Sequence, residues 1–211
     1  MPYRETAKIR DHKAAQHQKI LRCAESVVRK HGFGGLTIQA VADRAQVGVG
    51  TVYRYFPAKD ALATDVFCRA TQRETDALRN VLQQEGQVIE RLCQGIALFA
   101  QRALLAPRLA WSLIAEPADA SVDAARNQYR RNYTLLFARL LDEGVESGQL
   151  PAQDTDLAAA SLVGGLAESL LGPLRDHRDA QNTVSELQTF WLRAVGADET
   201  GAARPDDGAN A

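Results

Sequence analysis

The stretch that most constrains this chain is LTIQAVADRAQVGVGTVYRYFPAKDAL, residues 36–62. Its apolar positions fall at helical spacing in two short runs with a turn between them. In residues 37–45, Val41, Ala42 and Ala45 share one face through three- and four-residue steps. Thr37 can cap that run by accepting a free backbone N–H. Gln46, Val47 and Gly48 make the turn, and residues 49–55 form the second run, so Val47 and Val52 can fill the angle between two helices. Pro57 ends the second helix and a third starts directly after it. The expected geometry is a helix-turn-helix.

The residues left outside that angle point to nucleic acid. Val49, Gly50, Thr51, Tyr53, Arg54 and Tyr55 are left to face outward. Small residues at a helix start let a groove wall approach, and hydroxyls and a cation suit phosphate oxygens. Lys59 stands at the start of the next helix, where side-chain charge and helix dipole both favour a phosphate. An ordinary αα-hairpin with exposed aromatics would show the same spacing.

Taken together, Thr37, Ile38, Val41, Ala42, Ala45, Val47, Gly50, Thr51, Tyr53, Tyr55, Phe56, Lys59, Asp60 and Leu62 resemble the DNA-binding signature of TetR-family transcriptional regulators. The resemblance covers about residues 20–62; beyond them only length and helical character are similar. It implies phosphate contacts from Thr37, Tyr53, Tyr55 and Lys59, close approach at Gly50 and Thr51, and base readout by Gln39 and Val49. Gln can pair bidentately with adenine, and an apolar Val suits a thymine methyl. Two departures matter. Gln46 stands where the family usually has glycine at a turn position needing positive φ, so mild strain is expected there. Gly48 stands where serine is frequent, which removes a possible helix cap.

A net charge of −1 looks wrong for a DNA binder, but the average hides a split. Residues 1–60 hold eleven Lys and Arg against five Asp and Glu; residues 61–211 hold fourteen against twenty-one. A basic head on an acidic body is the asymmetry expected when one end meets phosphate. At 211 residues and 45% hydrophobic, the chain can bury a substantial core.

No P-loop, GxSxG, HExxH or Cys/His pairing is visible, so an enzyme is not expected, nor a cofactor. Cys23, Cys68 and Cys93 are odd in number and lack metal-binding spacing, which reads as reduced core thiols and no metal. No apolar run approaches membrane-span length and the N-terminus does not read as a signal peptide, so a cytoplasmic protein without a membrane partner is expected.

In chain order, residues 1–14 read as a flexible basic arm and residues 15–60 as the helix-turn-helix domain. Residues 61–196 read as a helical body, and residues 197–211, without a large apolar residue, as a disordered tail. Within the body, helices are expected at about residues 58–84, 88–105, 107–115, 122–146, 155–171 and 183–195, bounded by Gly86, Pro107, Pro117, Gly148, Pro151 and Gly196. The fold class is all-α: an N-terminal three-helix DNA-binding domain joined to a larger helical effector-binding and dimerisation domain.

The family resemblance implies a ligand cavity in that body. Phe99, Trp111, Tyr129, Tyr133 and Phe137 would supply aromatic walls, with Arg102 and the nearby Glu116, Arg126 and Arg130 as the polar minority. Aromatics at helical spacing read equally as plain core. For a homodimer, Leu162, Leu166 and Leu170 form a stripe beside Gly165, with Leu187 and Trp191 flanking. Paired across a two-fold axis, two helices from each chain would make a four-helix bundle; the alternative is that the stripe closes the monomer's own core. The expected function is a ligand-responsive regulator, a repressor that binds a palindromic operator in double-stranded DNA as a dimer and is released by a small-molecule effector. A non-regulatory DNA organiser with the same head is the alternative.

Overall fold

Between positions 7 and 31 the chain has no glycine or proline and is rich in Ala, Lys, Arg and Gln, residues that keep a helix going without a buried face. In the computed structural model, which describes residues 7–176 and 179–197, this segment is one helix, α1 (Ala7–His31). The helix thus starts well before residue 15, and positions 7–14 are helical rather than an arm; residues 1–6 lie outside the described residues. The short helices α2 (Ile38–Ala45) and α3 (Val49–Tyr55) follow, then the connector α4 (Lys59–Leu82).

The body comprises α5 (Val88–Leu105), α6 (Pro107–Ile114), α7 (Ala120–Glu146), α8 (Thr155–Asp176) and α9 (Ala180–Ala194). Among the described residues there is no strand, and the fold is all-α. Of the expected tail, Ala197 is buried and its N–H donates to the Leu192 carbonyl; residues 198–211 lie outside the described residues.

Two apolar clusters organise the chain. In the head, Ile20, Ala24 and Val28 of α1 meet Val41 and Ala45 of α2, Val52 of α3, and Leu62 and Val66 of α4. Leu109 of α6 and Val122 of α7 belong to the same cluster, so the head is seated on the body through shared core. The larger cluster joins α4, α5 and α7 to α8 and α9.

It settles the leucine stripe. Leu162, Leu166 and Leu170 are buried in the protomer's own core together with Leu187 and Trp191, and a Cβ on Gly165 would overlap the Trp191 ring. These six residues close one chain's body. The faces that α8 and α9 leave exposed carry Leu157, Ser161, Gly164, Thr189 and Phe190 instead.

Helix α8 also corrects two expectations. It runs through Pro173 to Asp176 rather than stopping near 171, because Pro173 and Leu174 gain burial that offsets the lost backbone hydrogen bond. At 22 residues it is long and apolar enough, by length and composition alone, to cross a membrane. Its apolar side packs against α5, α6 and α7 in the core of the body.

Candidate nucleic-acid interface and effector cavity

The turn between α2 and α3 is built as its residues dictate. Thr37 caps α2 by accepting the Ala40 N–H at 3.1 Å. Gln46 adopts φ 53°, ψ 50°, the left-handed conformation, and its N–H meets the carbonyls of Ala42 and Asp43. A non-glycine residue held there stores about 1–2 kcal/mol. Among the described non-glycine residues no other has positive φ. Val52 is fully buried and Val47 half-buried in the angle.

The outward set is less uniform than its spacing suggests. Gly50, Tyr53, Arg54 and Lys59 are exposed, and a Cβ on Gly50 would meet no described atom within 4 Å. Thr51 is half-buried. Val49 is half-buried against the head core, so only part of its side chain faces out. The rings of Tyr55 and His17 of α1 meet edge to face, centroids 6.2 Å apart, while His17 stacks on Phe56 at 4.6 Å. Gln39 is exposed, but its amide nitrogen donates to Asp43 at 2.7 Å, which restrains the carboxamide. Lys59 opens α4, and no side chain caps that helix, so its first N–H groups can still take an anion. The early part of α1 adds what the sequence reading missed. Ile9, His12, Lys13 and His17 face Thr51, Arg54 and Tyr55 across a groove, extending the basic surface beside α3. Helix propensity continuing upstream of Ala15 was the signal for it.

In the body, a cavity of about 300 Å³ lies among α4, α5, α6, α7 and α8. Phe99, Arg102, Tyr129 and Tyr133 line it, as expected. Trp111 does not; it lies under the Arg108 guanidinium, 5.0 Å from the ring centroid. Phe137 does not either. One turn beyond Tyr133, it is fully buried in the body's apolar cluster. Burial pushes the Tyr133 phenol up to about 12 and raises Tyr129, so both are neutral hydrogen-bonding groups. Arg102 is held by Glu74 in a two-bond pair.

Thr71 and Glu74 of α4 also line the cavity and were not anticipated. Thr71 and Thr75 interrupt the stripe that Phe67 and Leu78 mark on α4, and that polar break was the available signal. The Thr71 hydroxyl is buried and has no hydrogen-bond partner.

Two more of the expected polar residues link cavity and head. Arg126 lines the cavity, pairs with Asp123, and donates to the carbonyls of Leu113, Ser112 and Glu116 at the end of α6. Glu116 lies outside the cavity. Its carboxylate accepts the N–H groups of Phe33 and Gly34, in the turn after α1. Burial works to raise the Glu116 pKa, but hydrogen bonds from Ser112, Phe33 and Gly34 and the charge of Arg108 together carry it below the usual range.

Cys23, Cys68 and Cys93 are half-buried and unpaired, rather than fully buried as expected, and burial raises the Cys68 and Cys93 thiols.

Comparison with known proteins fits this geometry. Residues 20–66 match the family described as bacterial regulatory proteins, tetR family. The HTH-type transcriptional repressor KstR of Rhodococcus jostii (strain RHA1) is 28% identical over 196 residues, covering 90% of this chain and 86% of that protein. The HTH-type transcriptional repressor NemR of Escherichia coli (strain K12) is 26% identical over 192 residues, covering 85% and 94%. Among solved structures, the regulator FadR from Bacillus subtilis in complex with stearoyl-CoA superposes with a TM-score of 0.73 at 18% identity, over 83% of this chain and 97% of that one. At that identity the likeness speaks to the fold.

Proposed function

We propose that this chain, whose residues 20–66 match the tetR family of bacterial regulatory proteins, is a ligand-responsive repressor that binds a palindromic operator as a homodimer and releases it when a small molecule fills the body. The observation that carries this reading is the placement of Arg126, which touches the cavity on one side and the carbonyl ends of α6 on the other. From there Glu116 reaches the head. Ligand in the cavity and DNA on α3 can therefore bias one packed unit, which is the physical requirement for coupling. An organiser with the same head would need neither cavity nor link.

In this reading Tyr53, Thr51, Lys59 and the Thr37 hydroxyl anchor phosphates, Gly50 admits the groove wall, Tyr55 is oriented by His17, and Gln39 and Val49 read bases. Asp43 helps by holding the Gln39 amide. The two chains meet through the exposed faces of α8 and α9, around Gly164, Leu157 and Phe190. Nothing in the site calls for catalysis, and the protein acts in the cytoplasm, where its operator is.

The test is selection of duplexes from a random library by the full chain, followed by binding at several salt concentrations. A palindrome with half-sites about 34–36 Å apart is expected, with a log–log salt slope of about −0.9 for each neutralised phosphate. A flat salt response would overturn the reading.

A further inference from the structure

The cavity's charges are lopsided. Arg29, Arg102, Arg126 and Arg130 line it against a single carboxylate, Glu74, and that carboxylate is already taken by Arg102. Among the described residues Arg29 pairs only with Glu25, at 3.8 Å, and Glu25 also serves Arg69 and Arg73. Arg126 is engaged by Asp123 and three carbonyls. Arg130 differs: among the described residues it forms no salt bridge, and the one bond its guanidinium makes is a long 3.4 Å contact to the Ile114 carbonyl. A guanidinium carries five N–H donors in a fork suited to carboxylate. Arg126, Arg130 and Ile114 line both the cavity and the groove outside it, which places the unspent donors at its mouth.

The remaining walls are mostly apolar, Phe67, Leu78, Leu109, Leu113 and Val163 among them. Thr71 is one of the lining residues, 5% exposed, and its hydroxyl is buried and has no partner among the described residues. A buried polar group left unpaired is costly. About 300 Å³ is the low end of ligand pockets and holds about ten water-sized volumes, so the occupant is small.

We propose that the effector is a small amphipathic organic monoanion, its apolar body of about a dozen non-hydrogen atoms in the cavity and its carboxylate-like group bound by Arg130 at the mouth. This rests on the reading of the cavity as the effector site. Anion preference arises from Arg126 and Arg130: of the two carboxylates that share the mouth, Asp123 is already paired with Arg126 and Glu168 forms no salt bridge among the described residues, so the donors of Arg130 stay unspent. A cationic head would meet them as a like charge, and a neutral one would forgo a charge-assisted bond.

The experiment is calorimetric titration of the full chain with decanoate, 1-decanol and decylamine, probes with one chain length and three heads. Decanoate should bind about tenfold or more tighter than decanol, and decylamine weakest. Arg130→Gln should cost decanoate about tenfold and change decanol less than twofold. Arg139→Gln, on an exposed part of α7, should change neither. Decanol or decylamine binding as tightly as decanoate would overturn the proposal. So would saturable binding by none of the three, or decanoate affinity unmoved by Arg130→Gln. If decanoate bound with the expected preference yet left DNA affinity unaltered, the anion site would stand and the effector role assigned to it would fail.

Discussion

The carboxylate of Glu116 accepts the backbone N–H of Phe33 at 2.8 Å, across 83 positions of sequence. The partner N–H of Gly34 sits at 3.2 Å on the other carboxylate oxygen, and Arg108 braces the carboxylate while donating to the His31 carbonyl. The turn that receives them needs glycine twice over. Gly32 has φ 71°, and a Cβ there would collide with both the Arg108 guanidinium and the Glu116 carboxylate. The turn thus closes α1 against the end of α6, and the position of the head follows α6.

Removing the carboxylate should be felt in both stability and coupling. Glu116→Ala leaves a buried N–H of Phe33 without its acceptor and is expected to cost about 1–3 kcal/mol in urea denaturation. Any effector that releases operator from the parent protein should release less from this variant. Undiminished release would show that the signal takes another route.

The same contact gives a pH dependence with a definite sign. Because the Glu116 pKa is depressed in the fold, its contribution is present above the ordinary glutamate range and lost as pH falls through the folded value. The stability gap between the parent and Glu116→Gln should be widest near neutral pH and shrink below about pH 4.3. A gap that grew on acidification would contradict the assignment.

Thr71→Val replaces an unpartnered buried hydroxyl by a methyl of similar shape. The unliganded protein should be unchanged or more stable by about 1 kcal/mol, read as an upward shift in Tm. A drop beyond about 1 kcal/mol would mean that the hydroxyl is satisfied within the fold.

In the head, Lys59→Ala should weaken all duplexes alike and reduce the salt slope by about one. Gln39→Ala should instead change which operator is preferred, by about 1–3 kcal/mol at the affected base pair. If Lys59→Ala altered preference and Gln39→Ala did not, the two roles would be exchanged.

Neighbouring glycines separate interface from core. Gly165→Trp would collide with Trp191 and unsettle the monomer, whereas a Cβ on Gly164 meets no described atom within 4 Å. Gly164→Trp should therefore yield helical monomers in sedimentation, with operator binding much weakened. Dimers that bound DNA normally would place the interface elsewhere.

Local sequence specifies the head. Thr37, the Val41–Ala45 stripe, Gln46 and Val52 act within about four residues of one another, where helical period, capping and turn sterics leave one arrangement. It also makes the body helical, since Gly86, Pro107, Pro117 and Gly148 fall at or near helix ends. Tertiary packing decides which side of each helix meets which neighbour. Periodicity marks Leu162, Leu166 and Leu170 as a stripe without saying that α5, α6 and α7 of the same chain cover it. Likewise, Glu116 and Arg126 read as generic polar positions until folding brings the turn after α1 and the end of α6 together. A side chain's role then follows from distances that no local spacing encodes.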